Sequence, residues 1–405
     1  MLASELELPF LDATQIVGRE ELRSRLAEVR AQHWLARTPI GYVLTNHEDV
    51  TALLRDRRWH SAVRILNRLN GVPERSDRPE SVLSAEGETH ARLRRLVAPA
   101  FSPKAADRLR PFMRQVINGL VDEIVDAGSC EFVEAICEPY PIPIICELLG
   151  APKKDWRDFS RWATDLLRVF NGNWAEDGPA IESARVELDD YVEALIADRR
   201  DKPADDLLTD LIAAEEAGDR LSTAELVVMV EAVILGGTDT TRNQLGCSVA
   251  LFTSYPDQWT LLAERPELAT TAVEESMRFL GAVRGSGRYA SEELEFKGVT
   301  FPENSVMMLS LVGANFDESV FENPERFDIT RPGIGQNLSL GSGIHYCLGS
   351  SLARAELQEA LPILAQRLPN LALDGDVEWK PNRSGIWGPQ RLPIRYSGSV
   401  GDTTT

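Results

Sequence analysis

Cys347 stands in the run Leu340–Gly349, LGSGIHYCLG, after a glycine-broken turn and ahead of a helical pattern, an arrangement that offers one thiolate to a metal. Gly341 and Gly343 permit positive φ, so the loop can turn tightly and approach a flat ligand closely. Downstream, Ala353, Leu357, Ala360, Leu361, Leu364 and Leu368 share one face at helical spacing in spite of Pro362, which puts Cys347 near a helix start. Free N–H groups and the positive end of the helix dipole favour an anion there, so the sulfur is expected to ionise easily. A second run, Gly236–Thr241 (GGTDTT), places two glycines, an acid and three hydroxyls inside a helix expected to start near Ser222. Ser222 and Glu225 form its capping box, ahead of the apolar run Leu226–Leu235. Glycine in a helix interior costs about 1 kcal/mol against alanine, and a threonine hydroxyl can bond back to a preceding carbonyl and open the helix. Alone, the hexad suits a kink between packed helix halves; beside a ligand cysteine it suits a reaction site.

The order Gly341, Gly343, His345, Cys347, Gly349, Leu352, Ala353, Arg354 resembles the cysteine-ligand signature of the cytochrome P-450 family, the haem-thiolate monooxygenases. That resemblance implies haem b with Cys347 as the metal ligand and Leu340, Gly341 and Gly349 beside it; members usually carry phenylalanine where this chain has Leu340. Gly236–Thr241 is similar to the family's oxygen-binding helix, in which the two glycines would make room beside the haem for dioxygen, Gly237 would stand among the cofactor-binding residues, and the acid–alcohol pair Asp239 and Thr240 would deliver protons. His90 and Arg94, four apart on one helical face in HARLRR, match the helix that binds the haem propionates, and Arg288 and His345 match two further propionate positions. Glu275 and Arg278 in AVEESMRF, with Arg326 of NPERF, resemble the family's buried charged network, which serves folding and haem retention and no chemical step. GANFD (residues 313–317) follows a family pattern except at Phe316, where arginine is usual.

The elements that must position these residues are mostly helical. Between Ser102 and Gly218 the pattern is one of amphipathic helices, broken at Pro139–Pro143, Gly150–Pro152 and Asn171–Gly178. Pro39–Thr45 has the pattern of a strand, Leu294–Phe301 and Ser305–Leu311 that of a pair joined through Pro302–Asn304, and Leu392–Tyr396 that of a further strand. The expected architecture is mainly α with a small β-lobe, and the resemblance, which spans nearly the whole chain, implies the triangular α-rich cytochrome P-450 fold. No linker rich in Ser, Gly or Pro divides the 405 residues, so residues 1–396 are expected to form one domain and 397–405 a disordered tail. The net charge of −20 argues against nucleic acid or an anionic membrane as main partner. Five cysteines without a CxxC pair suit a reducing cytoplasm better than a disulfide framework. The N-terminal run has neither a basic segment nor an apolar one, and the apolar stretches are too short or too broken to span a bilayer, so neither a signal peptide nor a membrane anchor is expected.

By position, the substrate pocket would draw on Val169, Phe170, Val233, Ala282, Val283, Ile386 and Trp387, apolar residues that suit a hydrophobic small molecule. The expected activity is insertion of one atom of dioxygen into such a substrate. NAD(P)H electrons would arrive through a separate ferredoxin or flavodoxin and its reductase, since the sequence holds neither a GxGxxG turn nor a four-cysteine iron–sulfur pattern. Two alternatives stand beside it: a peroxide-driven peroxygenase, against which the intact Asp239–Thr240 pair argues, and a haem-binding sensor or carrier without turnover.

Overall fold

The computed structural model describes residues 1–16, 18–73, 78–171, 173–216, 221–381 and 385–397. Of the expected tail 397–405, Ser397 is described, its N–H donating to Pro369 O at 2.8 Å, and residues 398–405 lie outside the described ones. At the centre runs the helix Thr223–Phe252, 30 residues and about 45 Å long. It begins as expected: Ser222 Oγ accepts from the Glu225 N–H at 3.2 Å, and Glu225 Oε2 accepts from the Ser222 N–H at 2.8 Å. Most of its side chains are buried, because helices Pro141–Leu149, Trp156–Leu167, Trp174–Asp201, Ala269–Phe279 and Ser350–Arg367 pack around it into one hydrophobic core. The break expected at Asn171–Gly178 is shorter than the sequence suggests, since the helix begins at Trp174 and carries Gly178 and Pro179 in its first turns.

The β-lobe has its own smaller core under a five-stranded sheet. The strand order is Leu35–Thr38, Gly41–Leu44, Val306–Ser310, Gly285–Ala290, Trp59–Ser61. Two expectations are corrected here. Pro39–Thr45 is not one strand: Pro39 and Ile40 make the turn of a hairpin whose second arm starts at Gly41. Gly41 has φ 151°, and a Cβ there would lie 2.3 Å from the Val306 carbonyl oxygen, so the close parallel approach of the two strands requires glycine. Leu294–Phe301 does not pair with Ser305–Leu311 either. It folds on itself at Lys297 and Gly298, both with positive φ, while Val306–Ser310 takes the middle of the large sheet. The last expected strand is present as Pro393–Arg395, paired with Ser129–Glu131 and Ala372–Leu373.

Candidate active site

The Cys347 loop is set by its glycines. Gly343 has φ 73°, and a Cβ on it would meet the Leu54 carbonyl oxygen at 2.2 Å, so the loop lies flat against helix His47–Arg55. Gly341 also has positive φ, and the Cys347 N–H donates to Leu340 O at 2.9 Å, which closes the turn around the sulfur. Leu340 packs on the edge of the main core, and Gly349 occupies the N-cap position of Ser350–Arg367. The expectation of easy ionisation is not met by the protein alone. Burial pushes the Cys347 thiol up, and the Gly349 N–H with the charges of Arg94 and Arg354 only partly offsets that.

Helix Gly87–Val97 brings His90 and Arg94 to this loop. The His90 and His345 rings lie 4.4 Å apart, and Arg94 Nη2 donates to Tyr346 O at 2.5 Å. Arg288, on strand Gly285–Ala290, is buried and among the described residues donates to neutral acceptors, Ser286 Oγ at 2.8 Å and Gly287 O at 2.9 Å. His90 is not the cation the sequence suggests: burial and the neighbouring His345 pull it down to about 4, so it is neutral near pH 7. Its buried Nε2 has no hydrogen-bond partner among the described residues.

In the long helix the threonines back-bond as anticipated, Thr238 to Ile234 O at 2.6 Å and Thr240 to Gly236 O at 2.7 Å, yet the segment stays helical throughout. The two glycines have different tasks. A Cβ on Gly237 would lie 2.1 Å from Ile145 Cδ1, so Gly237 admits helix Pro141–Leu149; a Cβ on Gly236 would meet nothing within 4 Å. Of the two glycines expected to make room, only Gly236 has open space beside it. Asp239 is buried and ion-paired with Arg242, and Lys380 Nζ lies 3.5 Å from its Oδ2. Arg242 also donates to Thr164 Oγ1 at 3.1 Å and Ser160 Oγ at 3.4 Å on helix Trp156–Leu167.

Glu275 and Arg278 are both fully buried and bonded twice, at 2.7 and 2.9 Å. The third member is Arg331 and not Arg326. Arg331 Nε donates to both Glu275 oxygens at 3.1 Å, whereas the Arg326 side chain is 71% exposed and pairs with Asp328. Only the Arg326 carbonyl joins the network, accepting from Arg278 and Arg331. Phe316 is buried between the guanidinium groups of Arg23, 4.5 Å from its ring centroid, and Arg278, at 5.1 Å.

Comparison with known proteins gives the family. A model of the family described as cytochrome P450 matches residues 256–388. Luteothin monooxygenase of Streptomyces thioluteus is 33% identical over 398 residues, 97% of each chain. The chain belongs to the cytochrome P450 family. Nocardicin C N-oxygenase of Nocardia uniformis is 35% identical over 93% of this chain and 96% of its own. Among solved P450 folds, the crystal structure of CalO2 superposes with a TM-score of 0.88 at 30% identity, covering 97% of this chain and 100% of that one.

P450 enzymes use haem and dioxygen, and the residues here fit haem. One cysteine is presented on a glycine-turned loop, His90 Nε2 and the Arg288 guanidinium have no hydrogen-bonded acid among the described residues, and the long helix leaves open space at Gly236. Of the pocket residues, Ala282, Val283, Ile386 and Trp387 come together: Val283 bridges Ile386, and the Trp387 N–H donates to Ala282 O at 2.9 Å. Trp387 itself is buried, its ring stacked on Trp379 at 4.5 Å. Val233 belongs to the main core and Val169 packs against it, while the Phe170 side chain lies outside the described residues. Sequence reasoning missed Glu86, Lys380 and Glu356. Arg242 was legible at three residues from Asp239, but Lys380 reaches Asp239 from a distant hairpin, and Glu356 lies one helix away, its buried carboxyl pushed up to about 8 by desolvation.

Proposed function

We propose that this protein is a cytoplasmic monooxygenase that inserts one atom of dioxygen into a hydrophobic small molecule, with NAD(P)H electrons delivered by a separate ferredoxin or flavodoxin and its reductase. The observation that carries this reading is the Cys347 loop held against His90 and Arg94, together with relatives named monooxygenase, N-oxygenase and hydroxylase. Bound haem supplies oxygen activation, and a thiolate ligand pushes electron density that favours O–O cleavage.

The chain's own residues then have separable tasks. Cys347 would ligate the iron, and Gly341 and Gly343 let the loop that presents it turn tightly. Arg94, Arg288 and the neutral His90 would hold the propionates by charge and hydrogen bonds, with His345, its Nε2 engaged by Glu86, beside them. Thr240 presents its hydroxyl beside the open space at Gly236 and can exchange its bond to Gly236 O for one to a ligand. Asp239 holds or passes a proton, and does so only when its hold on Arg242 or Lys380 loosens. Apolar residues around Ala282 and Ile386 exclude water from the reacting bond. The electron-donor surface is the outer side of Gly87–Val97, where Arg95 is exposed; Arg92, on the same helix, is engaged by Glu225. Among the described residues no helix is long and apolar enough to cross a membrane.

The test is the reduced protein under carbon monoxide. A red-shifted Soret band of thiolate-ligated haem is expected, and Cys347→His should abolish the shift while leaving some haem bound; an imidazole-type band in fresh wild-type protein refutes the reading.

A further inference from the structure

Glu86 is an acid placed among groups that the haem reading reserves for other acids. It occupies the N-cap position of Gly87–Val97, yet its side chain makes no cap bond there. Instead Oε1 accepts from the Ser61 N–H at 2.5 Å and from His345 Nε2 at 2.9 Å. One carboxylate thus ties a helix start, the strand Trp59–Ser61 and the loop of Cys347. Burial pushes the Glu86 carboxyl up, but the bonds from His345 and Ser61 outweigh it and hold the group below the usual range, so it is an anion at neutral pH. Around it stand His345 in direct contact, His90 with its ring tilted against that of His345, and Arg288 opposite Ser61 in the sheet register. His345 Nε2 is already engaged, whereas His90 Nε2 and the Arg288 guanidinium have no hydrogen-bonded acid among the described residues, Glu86 reaching them through its charge alone.

We propose that Glu86 is a haem-positioning residue: it orients His345, leaves His90, Arg94 and Arg288 to hold the propionates, and keeps the reduction potential of the bound haem low through its fixed negative charge. The inference rests on the assignment of haem to this pocket. A partly buried charge is screened less than one in water, and an anion near the haem disfavours the more negative, reduced state.

Holoprotein carrying Glu86→Gln or Glu86→Ala tests it, read by spectroelectrochemical titration of the potential and by haem transfer to excess apomyoglobin. Glu86→Gln keeps an oxygen acceptor and loses the charge, so the potential should rise while haem transfer stays within about twofold of wild type. Glu86→Ala loses both, and should raise the potential and speed haem transfer roughly tenfold, because two donors are left without an acceptor. An unchanged potential in Glu86→Gln overturns the electrostatic role, and unchanged haem transfer in Glu86→Ala overturns the positioning role. Should Glu86→Ala fail to fold, Glu86→Asp, which is one methylene too short to span both donors, replaces it with the same expectation for haem transfer. A wild-type protein without the thiolate carbon monoxide band would instead refute the haem-thiolate assignment, so the two failures are distinct.

Discussion

Replacing Arg331 by methionine and, separately, Arg326 by alanine sets the observed charged network against the one expected from sequence. Arg331 contributes two bonds of 3.1 Å to the fully buried Glu275 and donates to the carbonyls of Glu322 at 2.6 Å, Asn323 at 3.1 Å and Arg326. Removing one partner of a buried pair costs about 3–5 kcal/mol. Glu275 retains Arg278 and the Asp328 N–H at 3.0 Å, which points to the lower end, about 3 kcal/mol. The Arg326–Asp328 pair is 71% and 19% exposed. Its loss should cost no more than about 1 kcal/mol. With a urea slope of about 3 kcal/mol per molar or more for a chain of this size, Arg331→Met should lower the unfolding midpoint by up to about 1 M. Tryptophan fluorescence and haem absorbance, followed in parallel, give the two readouts. Equal losses in both variants, or a loss below about 1 kcal/mol for Arg331→Met, would refute the assignment.

Other outcomes follow from the same geometry. Gly237→Ala must displace the buried Ile145 and should cost about 1–3 kcal/mol, relieved by Ile145→Val, whereas Gly236→Ala should cost no stability yet weaken haem or ligand binding; both are read by melting and by spectral titration. Glu356 keeps its proton in the folded chain up to about pH 8. Its contribution is therefore complete below the ordinary carboxylate range and falls by about 1.4 kcal/mol per unit as pH rises towards 8. Glu356→Gln should remove that slope, and melting curves from pH 5 to 8 that run parallel to wild type would exclude it. Thr240→Ala should divert NAD(P)H consumption to hydrogen peroxide and Asp239→Asn should slow turnover; wild-type rates and product yields in both would sink the proton route. Arg95→Glu should slow reduction by an acidic ferredoxin without changing substrate binding, as stopped-flow traces at several salt concentrations would register.

What could be read from the sequence was what local spacing decides. The Ser222–Glu225 cap, the Glu275–Arg278 pair and the approach of His90 and Arg94 to one face each need only helical geometry, and each is present. Gly236 and Gly237 could not be told apart, because neighbours on a helix differ by about 100° and only the position of Ile145 shows which one faces a wall. Arg326 and Arg331 flank one short turn, and burial alone selects between them. Lys380 and Glu86 act on partners far away in the chain, where spacing carries no signal. The missed hairpin was legible in principle: Pro39 lacks the N–H that a strand interior needs and belonged in the turn.

The two sides of the proposed haem site meet across 252 residues, from Arg94 to Tyr346, and 259 residues, from Glu86 to His345. Contacts so remote in sequence close late, after more local helices have formed. On a ribosome adding about 5–20 residues per second, Glu86, His90 and Arg94 emerge roughly 10–50 s before the cysteine loop that completes their site. For that interval the nascent chain offers only half of a binding surface. Haem supply therefore matters most once the final third of the chain has left the ribosome, and a pause in translation before residue 340 would prolong the exposure of an apolar, half-built pocket to aggregation and proteolysis.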